Sequence, residues 1–325
     1  MTSEELDDII RNQFDKSLDG TNFESLGKLY KGKVRDNYIK NDVRIIIATD
    51  RLSAFDRVIT TIPFKGQMLN QVSSFWFEKT KHLVKNHIID IPDPNVAVVH
   101  QCDMIPVEMI VRAYITGSAW RSYTKGEATS GIVLPKGLQK NQKLDDFILT
   151  PSTKAESGHD IYISREKILE DKLVDEEIYT QMESASTKLF KFGQNYCLKN
   201  GLILVDTKYE FGIKDGELLV ADEIHTQDSS RFWVVESYNE RFEKGEDPEI
   251  LDKEIFRGWL MDTYPDIFPN ITPDQDIPHI APEIKVELAK RYMRSYQKIT
   301  GNEFKAEVSD VKKRIVENLK KANYW

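Results

Sequence analysis

The sequence predicts an α+β chain folded as two lobes, or as one core with a large extension, and three observations carry that reading. Its 325 residues exceed the usual size of a single compact core, and two lobes imply a cleft. After a short N-terminal helix, strand-like runs with one further helix among them continue to about residue 100, the pattern of a small α+β lobe. Further along, Ile203 to Trp233 alternates around Asp215-Gly216 as an antiparallel hairpin does. The composition, 40% hydrophobic and 30% charged without low-complexity tracts, is that of an ordinary globular protein.

Charge and patterning narrow the function classes. A net charge of -8 argues against a nucleic-acid partner, because phosphate-backbone binding draws on clustered Lys and Arg. No apolar run approaches the roughly 20 residues that span a bilayer, and the opening MTSEELDDII is acidic where a leader peptide is basic and then apolar. A cytoplasmic protein without membrane contact is expected. Cys102 and Cys197 stand beside apolar residues and far from metal-ligand spacing, which predicts two buried thiols rather than a disulfide or zinc site.

In chain order, residues 2 to 18 pattern as an amphipathic helix with Thr2 or Ser3 as N-cap. Strands are expected at Lys28 to Asn37, Val43 to Thr49 and Val96 to Gln101, with a helix at Gln67 to Lys81. A strand from Glu108 to Tyr114 leads through Thr116-Gly117-Ser118 into a helix at Ala119 to Gly126. From Glu127 to Asp160 turn formers dominate, and an ordered loop of that length is usually functional. Helices follow at Ser164 to Asp171 and at Asp175 to Asn200, the second stopped by Gly201. Beyond the hairpin, Asp247 to Tyr264 reads as helix. Five prolines between Pro265 and Pro282 then exclude regular structure, and helices at Pro282 to Ile299 and Ser309 to Ala322 close the chain.

The hairpin poses the chemical question, because its apolar strands carry Asp206, Lys208, Glu210, Asp222 and Glu223. Two registers are open. A two-residue Asp215-Gly216 turn sets Lys214 opposite Glu217 and Glu210 opposite Ala221, with Asp222 on the other face. A three-residue loop with Gly216 in the bulge position sets Lys208 opposite Asp222 and gathers Asp206, Lys208, Glu210 and Asp222 on one face. The second is expected. Carboxylates this close repel one another unless a divalent cation is present, and hard oxygen ligands suit Mg²⁺, which usually implies nucleotide phosphates. An edge hairpin with its acids in water is the plain alternative, but Leu202 to Val205 and Leu218 to Val220 are too apolar for a solvated ribbon.

Three other stretches could bind anions. In Tyr30-Lys31-Gly32-Lys33-Val34-Arg35-Asp36 a glycine flanked by cations lets backbone amides approach a phosphate, although short basic strands are common. Arg112 leaves an apolar strand just before Gly117-Ser118, and Arg231 sits in Ser230-Arg231-Phe232-Trp233. Either arginine could grip a phosphate bidentately or close a buried salt bridge. The hydroxyl-rich stretch from Thr150 through Ser152 and Lys154 to His159 could hold a small polar substrate or be a solvated loop, and a lone loop histidine is no secure general base. Together these features suggest an enzyme using ATP and Mg²⁺ on an anionic small molecule. A protein kinase is the natural rival, but its catalytic-loop and Asp-Phe-Gly patterns are missing. A passive nucleotide-binding module would leave three anion sites unexplained.

In order along the chain, Tyr30 to Arg35, Ala48-Thr49-Asp50-Arg51-Leu52-Ser53-Ala54-Phe55-Asp56, Lys65-Gly66, Val111-Arg112 through Ser118, Leu204 to Gly212, and Ala221-Asp222-Glu223 with Ser230 to Trp233 resemble the SAICAR synthetase family of purine biosynthesis, in its longer form. The resemblance implies a small antiparallel-sheet lobe, about residues 1–105, and a larger α+β lobe, 106–325, clamping ATP between them. It implies ATP-dependent joining of L-aspartate to the carboxylate of carboxyaminoimidazole ribonucleotide, the alternative being another kinase-like or ATP-grasp-like enzyme acting on a phosphorylated small molecule. Under that resemblance Lys31, Gly32, Lys33 and Arg35 hold ATP phosphates, some members carrying lysine at the last position. Backbone around His100, Cys102 and Met104, with Glu108, meets adenine and ribose. Glu210 and Asp222 bind Mg²⁺ beside Asp206 and Lys208. Asp56 approaches the imidazole substrate and a second metal ion. Arg112, Ser118 and Arg231 take the ribonucleotide phosphate, and Ser152, Lys154 and His159 contact aspartate or substrate. The charged C-terminal helices fit a monomer or a homodimer.

Overall fold

A computed structural model describes residues 2–40, 42–154 and 161–325. Contacts divide the chain into two units, one of residues 1–75, 88–101 and 251–325, the other of 76–87 and 102–250. The C-terminal helices thus belong with the first unit, where a single cut near residue 105 would put them in the second. No helix is long and apolar enough to cross a membrane among the described residues.

The strands are β1 (Leu29–Lys31), β2 (Arg35–Lys40), β3 (Val43–Ala48), β4 (Arg51–Ala54), β5 (Arg57–Thr61), β6 (Ile88–Asp93), β7 (Val96–His100), β8 (Asp103–Met104), β9 (Val107–Tyr114), β10 (Lys143–Leu149), β11 (Ser152–Thr153), β12 (Leu202–Lys214), β13 (Glu217–Ala221) and β14 (Ser230–Val234). The helices are α1 (Ser3–Arg11), α2 (Lys65–Thr80), α3 (Gly117–Thr124), α4 (Arg165–Glu170), α5 (Glu176–Lys199), α6 (Val235–Glu243), α7 (Glu254–Thr263), α8 (Pro282–Thr300) and α9 (Val311–Lys321). Thr2 caps the start of α1 in a capping box with Glu5, and the helix ends at Arg11, with only a 3-10 turn at Phe14–Lys16 in the rest of the stretch expected to be helical. Gly201 takes a left-handed φ of 72° after α5, as the sequence predicts.

In the first unit the sheet order is β1-β2-β3-β7-β6, all neighbours antiparallel. One face packs Tyr38, Ile45, Ile47, Val96 and Val98 against Val311, Ile315 and Leu319 of α9. Alternation in β3 and β7 puts these residues inward, and the apolar stripe of α9 covers them. Asp50, just after β3, accepts amide hydrogens from Leu18 at 2.7 Å and Gly66 at 2.9 Å. Burial pushes its carboxyl up to about 6 even so. Gly66 has no room for a side chain, since a Cβ would meet the Ala48 carbonyl oxygen at 2.3 Å. Gly66→Ala is expected to lower the unfolding free energy by roughly 3 kcal/mol, read by urea denaturation, because backbone must move to admit the methyl.

In the second unit β10-β9-β12-β13 form the main path of a seven-stranded sheet, with β11 on β9 and β14 and β8 on β12. The 13-residue β12 is the axis. Its first part pairs with β9 and β14, its last part with β13 and β8. Strands β10 and β11 fall inside the stretch the sequence assigns to loop, where pairing to the apolar β9 overrides weak local propensity. The hairpin corrects the expected register. Lys214 faces Glu217 and Glu210 faces Ala221, so Asp215 and Gly216 form a two-residue turn with φ of 52° and 79°. Positive φ at both central residues is the type I′ geometry that matches strand twist, and Asp-Gly satisfies it more simply than a bulge.

Candidate active site

Antiparallel pairing assembles the charged face. Residues 206, 208 and 210 point to one side of β12, and Asp206 lies opposite both Arg112 of β9 and Arg231 of β14. Arg231 Nη1 donates to Asp206 Oδ2 at 2.7 Å and Arg112 Nη1 to the same oxygen at 3.2 Å. Arg112 also donates to Thr150 Oγ1 at 2.9 Å and to the Tyr162 hydroxyl at 2.8 Å, while that hydroxyl bonds Ser118 Oγ. The three residues the sequence nominates for one phosphate therefore meet at one place. Of the two sequence alternatives for Arg112, the buried salt bridge is present, and the Tyr162 hydroxyl links its guanidinium to Ser118. Gly117, with φ of 55°, makes the approach possible, because a Cβ there would come within 2.6 Å of Arg231 Nη2.

One step along β12 lies a second cluster. Lys208 Nζ donates to Glu108 Oε1 at 2.7 Å and to Glu210 Oε1 at 2.5 Å, and Lys154 pairs with the other oxygen of Glu210. Glu108 and Glu210 are each 4% exposed. Burial pulls the Lys208 ammonium toward deprotonation, but Glu210, Glu108 and Asp222 outweigh it and hold the pKa above the usual lysine range. For Glu210, burial and the Asp222 charge push its carboxyl up, and Lys208 with Lys154 reverse this, leaving it below the usual range. The charge of Asp222 acts on both Lys208 and Glu210 although the register does not set it opposite either; strand β13 stops at Ala221 and Asp222 takes a left-handed φ of 62°.

The remaining nominated residues are placed as follows. Ser152 lies on β11 opposite Glu108, 2% exposed, its hydroxyl without a hydrogen-bond partner among the described residues. Cys102 and Cys197 are both buried thiols. Met104 on β8 pairs with Gly212, where a Cβ would meet Cys102 Cβ at 2.7 Å. His100 ends β7 in the first unit, exposed. Also in that unit, Lys31 ends β1, Gly32 donates its amide to the Arg35 carbonyl at 2.8 Å, and Lys33 pairs with Asp56. Phe55 and Asp56 carry positive φ, 51° and 60°, in the turn joining β4 to β5. His159 lies outside the described residues. Tyr162 escapes the sequence reading, and Thr150 enters it only as part of a stretch, not as a partner of Arg112. Their signal was only that they follow or open the hydroxyl-rich stretch.

The family model described as SAICAR synthetase matches residues 28–270. A phosphoribosylaminoimidazole-succinocarboxamide synthase of Legionella pneumophila (strain Paris) is 44% identical over 303 residues, covering 91% of this chain and 95% of that protein. A chloroplastic synthase of the same description from Arabidopsis thaliana is 47% identical, covering 84% of this chain and 66% of its own length. Among solved structures, the SAICAR-synthase from Saccharomyces cerevisiae, complexed with SAICAR, is 32% identical with a TM-score of 0.76, covering 89% of this chain and 99% of that one. A SAICAR synthetase (Type-2) in complex with ADP is 26% identical with a TM-score of 0.64, covering 86% and 100%.

Proposed function

Since the chain belongs to the SAICAR synthetase family, we propose that it joins L-aspartate to the carboxylate of carboxyaminoimidazole ribonucleotide, yielding SAICAR, ADP and phosphate in de novo purine biosynthesis. The observation that carries the reading is the charged face of β12, with two arginines on Asp206 at one end and a lysine-bridged carboxylate cluster at the other. An amine does not displace oxide from a carboxylate. The ribonucleotide carboxylate oxygen therefore attacks the γ-phosphorus and ADP leaves. Aspartate's amine then adds to the acyl carbon, expels phosphate and loses a proton. Such transfers need positioning and charge neutralisation more than covalent help from the protein.

Each cluster has a part in this. Arg112 and Arg231, both held by the Asp206 carboxylate, present their remaining N–H groups to the ribonucleotide phosphate, with Ser118 beside them. Lys208, kept protonated by its three carboxylates, neutralises charge where the acyl phosphate forms. Lys154 and the buried Ser152 hydroxyl are donors for the substrate carboxylates. Lys33 and the glycine turn at Gly32 hold nucleotide phosphates.

The donor set suits Mg²⁺. The charge of Asp222 pushes the Glu210 carboxyl up, and among the described residues no group of three acids, histidines or cysteines could hold an ion alone. A magnesium site that takes one or two carboxylates and completes itself with substrate phosphates matches that count. Glu210 and Asp222 would hold the ion, which when bound neutralises phosphate charge.

Omitting ATP, aspartate and ribonucleotide in turn tests the activity: ADP release that requires the ribonucleotide is expected, and release without it sinks the reading. Arg231→Ala is expected to raise the ribonucleotide KM by about tenfold or more while leaving that of ATP within about twofold. Equal rises in steady-state assays would make Arg231 a scaffold residue.

A further inference from the structure

Arg51 belongs to no site described so far, yet its guanidinium, almost wholly buried, ends beneath the glycine turn of the first unit. Nε donates to the Lys33 carbonyl at 2.9 Å and Nη2 to the Gly32 carbonyl at 3.0 Å. Nη2 also donates to Asp36 Oδ1 at 2.8 Å, and Nη1 to the Asp19 carbonyl at 2.8 Å. Asp36 is itself fixed, its other oxygen accepting from the Thr21 amide at 2.6 Å and hydroxyl at 2.9 Å. Gly20 makes room for this packing, since a Cβ there would meet Arg51 Nη1 at 3.2 Å.

The two carbonyls matter more than the salt bridge. In a planar trans peptide the N–H points opposite the C=O. Drawing the Gly32 and Lys33 carbonyls toward Arg51 therefore turns the Lys33 and Val34 amides the other way. The next carbonyl, of Val34, is held in turn by the Thr49 amide at 3.0 Å and hydroxyl at 2.7 Å. Consecutive amides facing one direction form an anion-binding concavity.

We propose that Arg51 is a positioning residue of the nucleotide site: by holding the Gly32 and Lys33 carbonyls from below it aims the Lys33 and Val34 amides at ATP phosphate oxygens, an inference resting on the phosphate-binding role given to this turn above. A planar fork is needed for two neighbouring carbonyls and a carboxylate together, and an ammonium cannot reproduce it. Arg51 touches no substrate in this role. Its effect passes through backbone.

Calorimetric titration of ADP and, separately, of the ribonucleotide into Arg51→Lys and Lys33→Ala proteins tests it. Arg51→Lys keeps a cation for Asp36. It is expected to weaken ADP by about tenfold or more and to leave ribonucleotide affinity within about twofold. Equal losses for both ligands, or none for ADP, overturn the proposal. If Lys33→Ala leaves ADP affinity unchanged, the assignment of the turn to nucleotide is what fails. Should Arg51→Lys not fold, ADP titrated into wild-type protein carrying ¹⁵N-lysine and ¹⁵N-valine decides: shifts at the Lys33 and Val34 amides support the proposal, and unmoved amides overturn it.

Discussion

Asp222→Asn is expected to cut turnover at ordinary Mg²⁺ by about 100-fold or more while the protein folds normally. The charge at this position raises the Glu210 carboxyl and helps hold Lys208 protonated. Removing it leaves Glu210, already engaged by two ammonium groups, as the charged member of the proposed ligand pair. Asparagine tolerates the left-handed backbone that Asp222 adopts, so the turn itself is preserved. Rate measured against Mg²⁺ concentration, with circular dichroism as the control for folding, checks this. Normal activity at ordinary Mg²⁺ would dismiss the metal assignment.

The second large effect is on stability. On the apolar side of β12, Tyr209 shares a 2.5 Å hydrogen bond with His225 Nε2, and Trp76 stands edge-on to the imidazole at 4.7 Å. Gly193 of α5 lies so close that a Cβ would meet His225 Cε1 at 2.4 Å. Burial pulls this imidazole down to about 3 from 6.5. A depressed folded pKa means that the unfolded chain binds the proton first, so the stability His225 contributes is complete above pH 6.5 and is lost as pH falls toward 3. Its share is roughly 1.4 kcal/mol per pH unit over that window. Asp50 acts in the opposite sense between 6 and 3.8, since its raised carboxyl takes up a proton in the folded state first. The two largely cancel in the wild-type curve. Comparing wild-type protein with His225→Gln by urea unfolding isolates the histidine: the gap between them should change by about 1.4 kcal/mol per pH unit below pH 6. Parallel pH profiles would show that the imidazole is not held neutral.

These results show what could be read along the chain and what could not. The alternation of Asp206, Lys208 and Glu210 is covalent arithmetic, so their shared face was legible. Their convergence with Arg112 was not, because that depends on which strands pair. Asp222 is expected beside Glu210 through a register the strands do not adopt: the sequence offers Asp-Gly as a turn but does not display the left-handed φ of 62° beyond β13. The hairpin of β4 and β5 was missed for a related reason, as its turn residues Phe55 and Asp56 take positive φ without glycine. Arg51 lay within a recognised motif, yet its role is defined by the carbonyls it meets. Tyr162 depends on tertiary contact across a stretch with no periodic signal. Helices α5 and α8, by contrast, carry long apolar periodicities and clear terminal residues, and were placed within a residue or two.

One property of β12 reaches beyond its chemistry. Asp206 and Glu210 stand on the same strand four residues apart, and strand geometry fixes that interval at about 13 Å. The arginine pair and the carboxylate cluster are thus the two marks of a ruler whose graduations are covalent bonds. Loops can drift in evolution or breathe in solution without altering its length. Inserting one residue between the marks would both lengthen the scale and send one mark to the opposite face of the sheet, so the spacing admits steps of two residues and nothing finer.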